Sequence, residues 1–124
     1  MLQILAIAAG GALGALGRFW VSTGIYRLFG RDFPWGTLAV NALGSFLMGF
    51  LFILFLERWI AGPEWRGAVL VGFLGAFTTF STFSLETLML IEEGYLARAS
   101  LNMGGSVLLC LVCCWFGAIL GRSI

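Results

Sequence analysis

The stretch GFLGAFTTFSTFS, Gly72 to Ser84, sets two glycines, five hydroxyl side chains and four phenylalanines inside an apolar run of membrane-crossing length. A lipid-facing helix gains nothing from Thr78, Thr79, Ser81, Thr82 and Ser84 in close succession. Polar groups at membrane depth face a bundle interior, a cavity or an ion pathway, so this segment is expected to carry the chemistry. Its length points to a second property. From Trp65 to Gly94 an unbroken helix of about 30 residues would measure roughly 45 Å, against a hydrocarbon core of about 30 Å. An interruption near the middle of this span is expected around Gly72, Gly75 and the β-branched pair Thr78-Thr79. Irregular backbone is tolerated at membrane depth only where it is buried in protein or lines a cavity. A break there frees carbonyl oxygens, which together with half-helix ends suit a bare cation.

Composition places the rest of the chain around that segment. With 124 residues, 60% of them hydrophobic and 10% charged, and a mean hydropathy of +1.02, the chain reads as an all-α integral membrane protein. Four spans are expected, Leu2 to Tyr26, Trp35 to Leu56, Gly67 to Ile91 and Leu96 to Gly121. Charged or helix-breaking clusters separate them at Arg27 to Pro34, Glu57 to Arg66 and Glu92 to Arg98. Residues 1–124 therefore form one transmembrane domain. The first span lacks a basic leader and a small-residue cleavage site, and is expected to be retained as a helix.

The seven cations are all arginines. Four spans put Arg58, Arg66 and Arg122 on one side and Arg27, Arg31 and Arg98 on the other, so loop charge favours neither orientation. An accidental balance is one reading. Insertion in both orientations and assembly as an antiparallel, dual-topology homodimer is the other, and a bundle this small needs a partner to enclose a pathway. Cys110, Cys113 and Cys114 lie together in the fourth span, where small polarizable packing residues are expected. The chain has no histidine, no second cysteine pair and no nucleophile with a base, so no enzyme is expected. It has no basic run either, so nothing points to nucleic acid.

Small residues at four-residue spacing mark the helix contacts: Gly10 and Gly14, Gly117 and Gly121, and the row Asn41, Ser45, Gly49. Asn41, near the middle of the second span, needs a partner, either another helix or an ion. Phe80 and Phe83 share one helix face, beside a stripe of Thr79, Thr82 and Glu86. Asn102, Ser106 and Cys110 form a second polar strip. Paired phenylalanines usually serve as apolar packing, but the positive edge of an aromatic ring also suits a small anion that must shed water.

Gly17-Arg18-Phe19, the run Trp35-Gly36-Thr37-Leu38-Ala39-Val40-Asn41 continuing to Gly44-Ser45-Phe46, and Gly72-Phe73-Leu74-Gly75 leading into Thr78-Thr79-Phe80-Ser81-Thr82-Phe83-Ser84 together resemble the Fluc fluoride channels, also called the CrcB family. The resemblance covers essentially the whole chain. It implies an antiparallel homodimer in the plasma or inner membrane, with two fluoride pores and a structural sodium ion at the centre of the interface. Carried onto this sequence, it makes Phe80 and Phe83 the pore aromatics and Asn41 their polar neighbour, within the hydroxyl run that includes Thr82 and Ser84. It assigns the sodium to the carbonyls of Gly75 and Thr78. Arg18, Thr37 and Ser81 resemble an anion-accepting vestibule, and Glu86, Asn102 and Ser106 an outer polar track from which Cys110 departs, a thiol being a weaker donor than a hydroxyl. Passive fluoride export is the implied function. The alternative is a dual-topology, proton-coupled exporter similar to the small multidrug resistance transporters. Such a transporter needs a titratable acid, usually in its first helix, and none lies between Leu2 and Tyr26.

Overall fold

The computed structural model describes every residue from Met1 to Ile124, and all regular structure in it is helical. Four stretches are long and apolar enough to cross a membrane: Leu2–Phe29, Trp35–Arg58, Pro63–Glu92 and Leu96–Ser123. Helix α1 is Leu2–Phe29 and α2 is Trp35–Ile53, which widens into a π-helical turn at Leu54–Arg58. The third stretch opens with α3, Pro63–Arg66, continues as a π-helix over Gly67–Leu74, and closes its first half with α4, Gly75–Phe77. Its second half is α5, Phe80–Glu92, and the chain ends in α6, Leu96–Ser123. Each stretch extends a few residues beyond the apolar run at one or both ends. Arginines at helix ends tolerate this, since Arg27 and Arg122 occupy C-terminal turns where positive charge complements the helix dipole.

Local chemistry explains the boundaries. Gly30, at φ 82°, stops α1 and turns its amide back to the Tyr26 carbonyl at 2.8 Å. Gly94, at φ 87°, does the same work between α5 and α6. Such left-handed backbone strongly favours glycine. Pro63 begins α3 at a position where its missing amide costs nothing.

Between α4 and α5 the backbone is extended at two residues, Thr78 (φ −82°, ψ 155°) and Thr79 (φ −149°, ψ 118°). The Thr79 hydroxyl then accepts from the Thr82 amide at 3.1 Å and caps α5. An unbroken helix would direct the Thr79 amide at the Gly75 carbonyl and the Thr82 amide at the Thr78 carbonyl. Both amides are directed elsewhere, the first to Asn41 and the second to Thr79 Oγ1. The carbonyls of Gly75 and Thr78 thus lose their regular partners.

Two tight crossings set the bundle. Gly10 and Gly14 of α1 lie against the backbone of Ala68 and Phe73, and Gly72 lies against the Ile7 carbonyl. Gly49 of α2 meets the Cys114 carbonyl of α6, and Gly117 meets Phe46. A Cβ at any of these positions would run into main chain, so the glycines permit the close approach on which packing in lipid depends. Gly44 admits the Thr78 methyl, which fixes the extended residues against α2. The core is correspondingly small: Val40, Ile53, Leu54, Leu74 and Phe77 are buried, while most large apolar side chains face outward, as a lipid-facing surface requires.

Candidate functional site

The extended backbone at Thr78 and Thr79 is clamped by one side chain. Asn41 Nδ2 donates to the Thr79 carbonyl at 3.0 Å, and the Thr79 amide donates to Asn41 Oδ1 at 2.7 Å. A primary amide reproduces the donor and acceptor pattern of a peptide group, so Asn41 satisfies both ends of a residue taken out of the helix. One Nδ2 hydrogen stays free of this pair. Asn41→Leu would leave the Thr79 donor and acceptor unpaired, at about 1–3 kcal/mol each. A fall in melting temperature of the purified protein is the expected result, and an unchanged melting curve would show that the clamp contributes no stability.

Around the clamp lies a groove of about 320 Å³ lined by Asn41, Ser45, Thr79, Phe80, Phe83 and Ser106, among others. The Phe80 and Phe83 rings sit 5.4 Å apart and 40° from parallel at its rim. Phe83 is half-buried, whereas Phe80 is 76% exposed and projects away from the protomer. Thr79 also lines a second cavity of about 200 Å³ that contains Arg18, Ser22, Thr37 and Thr82. Thr82 lines a third, of about 460 Å³, with Tyr26, Glu86 and the terminal residues Arg31, Asp32, Glu93 and Arg98. Three cavities therefore follow one another along the hydroxyl face of α5, each sharing a threonine with the next.

Hydrogen bonds divide the expected residues into two further clusters. The Tyr26 hydroxyl donates to Glu86 Oε2 at 2.6 Å, and the Thr37 hydroxyl donates to Glu86 Oε1. Glu86 thus joins the Arg18 and Thr37 region, tying α1, α2 and α5 together. Asn102 and Ser106 are bonded elsewhere: Ser106 Oγ donates to Asn102 Oδ1 at 3.1 Å, Asn102 Nδ2 donates to Thr87 Oγ1 at 2.8 Å, and Thr87 donates to the Phe83 carbonyl at 2.7 Å. All three of these polar residues are buried. Of the hydroxyl run, Thr82 and Ser81 interact with Thr79 Oγ1 at 3.1 and 3.3 Å. Ser84 bonds back to the Phe80 carbonyl at 2.9 Å on the exposed side.

Tyr26 and Thr87 are the residues that sequence reasoning missed. Thr87 lies four positions beyond Phe83, a spacing that places it on the same helix face. Tyr26 carried no such signal, because its partner lies 60 residues away. Arg31 stacks over the Tyr26 ring, with Cζ 4.4 Å from the centroid, and Arg98 stacks over Tyr95 at 4.3 Å, so two cations flank the outer cavity. The arrangement offers neutral donors, ring edges and unpartnered carbonyls at membrane depth. It suits transfer of an ion between polar contacts better than bond-making.

The family model described as CrcB-like protein, Camphor Resistance (CrcB), matches residues 5–118. Over 123 residues the chain is 61% identical to the fluoride-specific ion channel FluC of Methylococcus capsulatus, covering 99% of this chain and 54% of that protein. It therefore spans about half the length of that relative. It is 54% identical to the protein of the same name from Magnetococcus marinus, covering 99% of this chain and all of the relative. Identity to the one from Geobacter sulfurreducens is 49%, with both chains fully covered. A family model that matches residues 5–118, through all four membrane-length helices, together with the relatives at 49–61% identity, means that this chain belongs to the CrcB family.

Proposed function

We propose that this multi-pass membrane protein is a fluoride-specific ion channel that lets fluoride leave the cytoplasm passively. The observation that carries this reading is the extended Thr78–Thr79 backbone, held by Asn41 in a groove rimmed by Phe80 and Phe83. Two relatives that match this chain along their whole length are named fluoride-specific ion channels. Conduction makes and breaks no covalent bond, and the protein is not an enzyme.

Fluoride is drawn to Arg18 and exchanges water for the hydroxyls of Ser81 and Thr82 and the spare Asn41 hydrogen, with Ser84 available as a donor only after turning from the Phe80 carbonyl. It then passes the positive edges of Phe80 and Phe83. The N-terminal end of α5 adds a partial positive charge where the helix begins at Phe80. Thr37 has one proton, which Glu86 holds, so it serves as a donor only after turning from that carboxylate. The outer track runs past two separate hydrogen-bonded groups, Glu86 with Tyr26 and Thr37, and Asn102 and Ser106 with Thr87. No single contact is strong, and weak successive sites permit exit.

Two pores form in an antiparallel homodimer embedded in the lipid of the plasma or inner membrane. The exposure of Phe80 and the equal distribution of loop arginines support this assembly. The third helix works as two halves. The carbonyls of Gly75 and Thr78 from both copies would supply four oxygens to one sodium ion at the dimer axis. Their lost helical partners suit that role, and oxygen-only ligation suits a hard cation. Such an ion would pin the two breaks together.

Fluoride efflux from liposomes, driven by voltage, tests the reading directly. Efflux no faster than from empty liposomes would overturn it. The exporter reading makes Glu86 a proton carrier, and its hydrogen-bonded, half-buried carboxylate is the feature that favours it. Under the channel reading, Glu86→Gln keeps voltage-driven flux within about tenfold of the unmodified protein, because conduction needs no titrating group. Uphill fluoride movement driven by a proton gradient alone, and ended by Glu86→Gln, would establish antiport instead.

A further inference from the structure

The groove has a second chemical character. Cys110 and Cys114 lie four residues apart on α6, so their side chains are neighbours on one helix face. Both line the groove, and Met48 lines it from α2. The two helices are held at close range here, since Gly49, next to Met48, packs against the Cys114 carbonyl. Ser45 faces the Cys110 thiol from the same helix as Met48. All three cysteines are free, but Cys113 is not among the groove residues. No three side chains of the His, Cys, Asp and Glu types converge anywhere in the protein. The set available to a cation is therefore two thiols and a thioether.

Hard divalent ions bind oxygen-rich cages, whereas thiolate and thioether sulfurs select soft ions such as Cu(I), for which two or three sulfurs suffice. We infer that Cys110, Cys114 and Met48 form a binding site for a soft monovalent cation on the wall of the groove, and that its occupation obstructs fluoride. The balance is simple. One thiol releases its proton to water as its sulfur takes the metal ion, and the second thiol and the thioether donate lone pairs without changing charge. Exchanging one proton for one monovalent ion keeps the cluster neutral, which a groove at membrane depth tolerates better than a net charge. Helical spacing puts Cys110 and Cys114 on one face of α6, and Met48 lines the same groove from α2, one residue from the α2–α6 crossing at Gly49. Obstruction follows from position, because the same groove holds Asn41, Phe80 and Phe83.

The obstruction rests on the channel reading, whereas metal binding does not. The test accordingly uses two readouts, with silver(I) as a redox-stable soft ion in chloride-free medium. In the first, the full chain is purified and equilibrated with silver nitrate and excess free methionine, which competes for ions held by a single sulfur. After desalting, metal is counted by elemental mass spectrometry. About one silver ion per chain is expected to remain on the unmodified protein and on Cys113→Ser, with at least about a fivefold loss in Cys110→Ser, Cys114→Ser and Met48→Leu. Equal retention by all variants, or loss in Cys113→Ser alone, would overturn the site. In the second, micromolar silver should slow fluoride efflux from liposomes about tenfold, reversibly on addition of dithiothreitol. The Cys110→Ser, Cys114→Ser double variant, normalised to its own untreated rate, should be insensitive. Silver retained at the site without any slowing would overturn the obstruction. Absence of fluoride efflux from untreated unmodified protein would instead count against the channel reading and leave the metal count standing.

Discussion

Replacing both Phe80 and Phe83 with isoleucine is expected to reduce fluoride efflux from liposomes to the background of empty vesicles, with the protein still folded and monodisperse. The rings lie 5.4 Å apart on the groove rim, three residues apart on α5. Isoleucine supplies apolar volume but no quadrupole, so it cannot present a positive edge to an anion that has shed water. Stability should change little. Phe80 is 76% exposed in the protomer, so its replacement opens no internal cavity there, and size-matched apolar exchanges cost less than about 1.5 kcal/mol even in packed cores. Methionine at either position retains polarizability and should preserve more flux than isoleucine. If the rings serve only as packing, the pattern reverses, with stability falling and flux per folded molecule unchanged. Efflux and the elution profile measured on the same preparation separate the two. Unaltered flux in the double variant would end the case for aromatic contact with fluoride.

The second large effect concerns orientation. Tags at the C-terminus should be found on both faces of the native membrane in comparable amounts, because the loop arginines divide three against three. Adding two or three arginines after Ile124 should hold one orientation, and the same addition in the turn between Glu92 and Tyr95 should hold the other. Each variant expressed alone should lose fluoride flux altogether, and co-expression of the two should restore it. The structure supplies a physical motive, since the groove of one protomer lies open beside an exposed Phe80 and needs a covering surface. Full activity from either locked variant by itself would remove the antiparallel dimer from the proposed function and leave the family membership untouched.

Thr87 and Glu86 show how adjacent residues separate in three dimensions. Glu86 belongs by periodicity to the stripe of Thr79 and Thr82, and the structure keeps it on that side, bonded to Tyr26 and Thr37. Thr87, one residue on, turns to α6 and completes a buried chain from the Phe83 carbonyl through Asn102 to Ser106. A step of one residue rotates a side chain by about 100° around a helix of 3.6 residues per turn, so neighbours in sequence face different helices. The grouping of Glu86 with Asn102 and Ser106 as one outer track therefore spans two separate hydrogen-bonded clusters.

The sequence by itself determined the membrane class, the four helices and the glycines of the close crossings. These are local properties. Hydrophobicity over a bilayer length and a missing Cβ act through the chain that carries them. Only the tertiary structure decided the partners. Asn41 reaches the Thr79 backbone across 38 positions, and Tyr26 reaches Glu86 across 60. Which polar groups meet depends on how far each helix is rotated about its axis and how deeply it is set against its neighbours. Those two quantities are fixed by contacts such as Gly49 on Cys114 and Gly10 on Ala68, and not by the spacing of residues along any one helix.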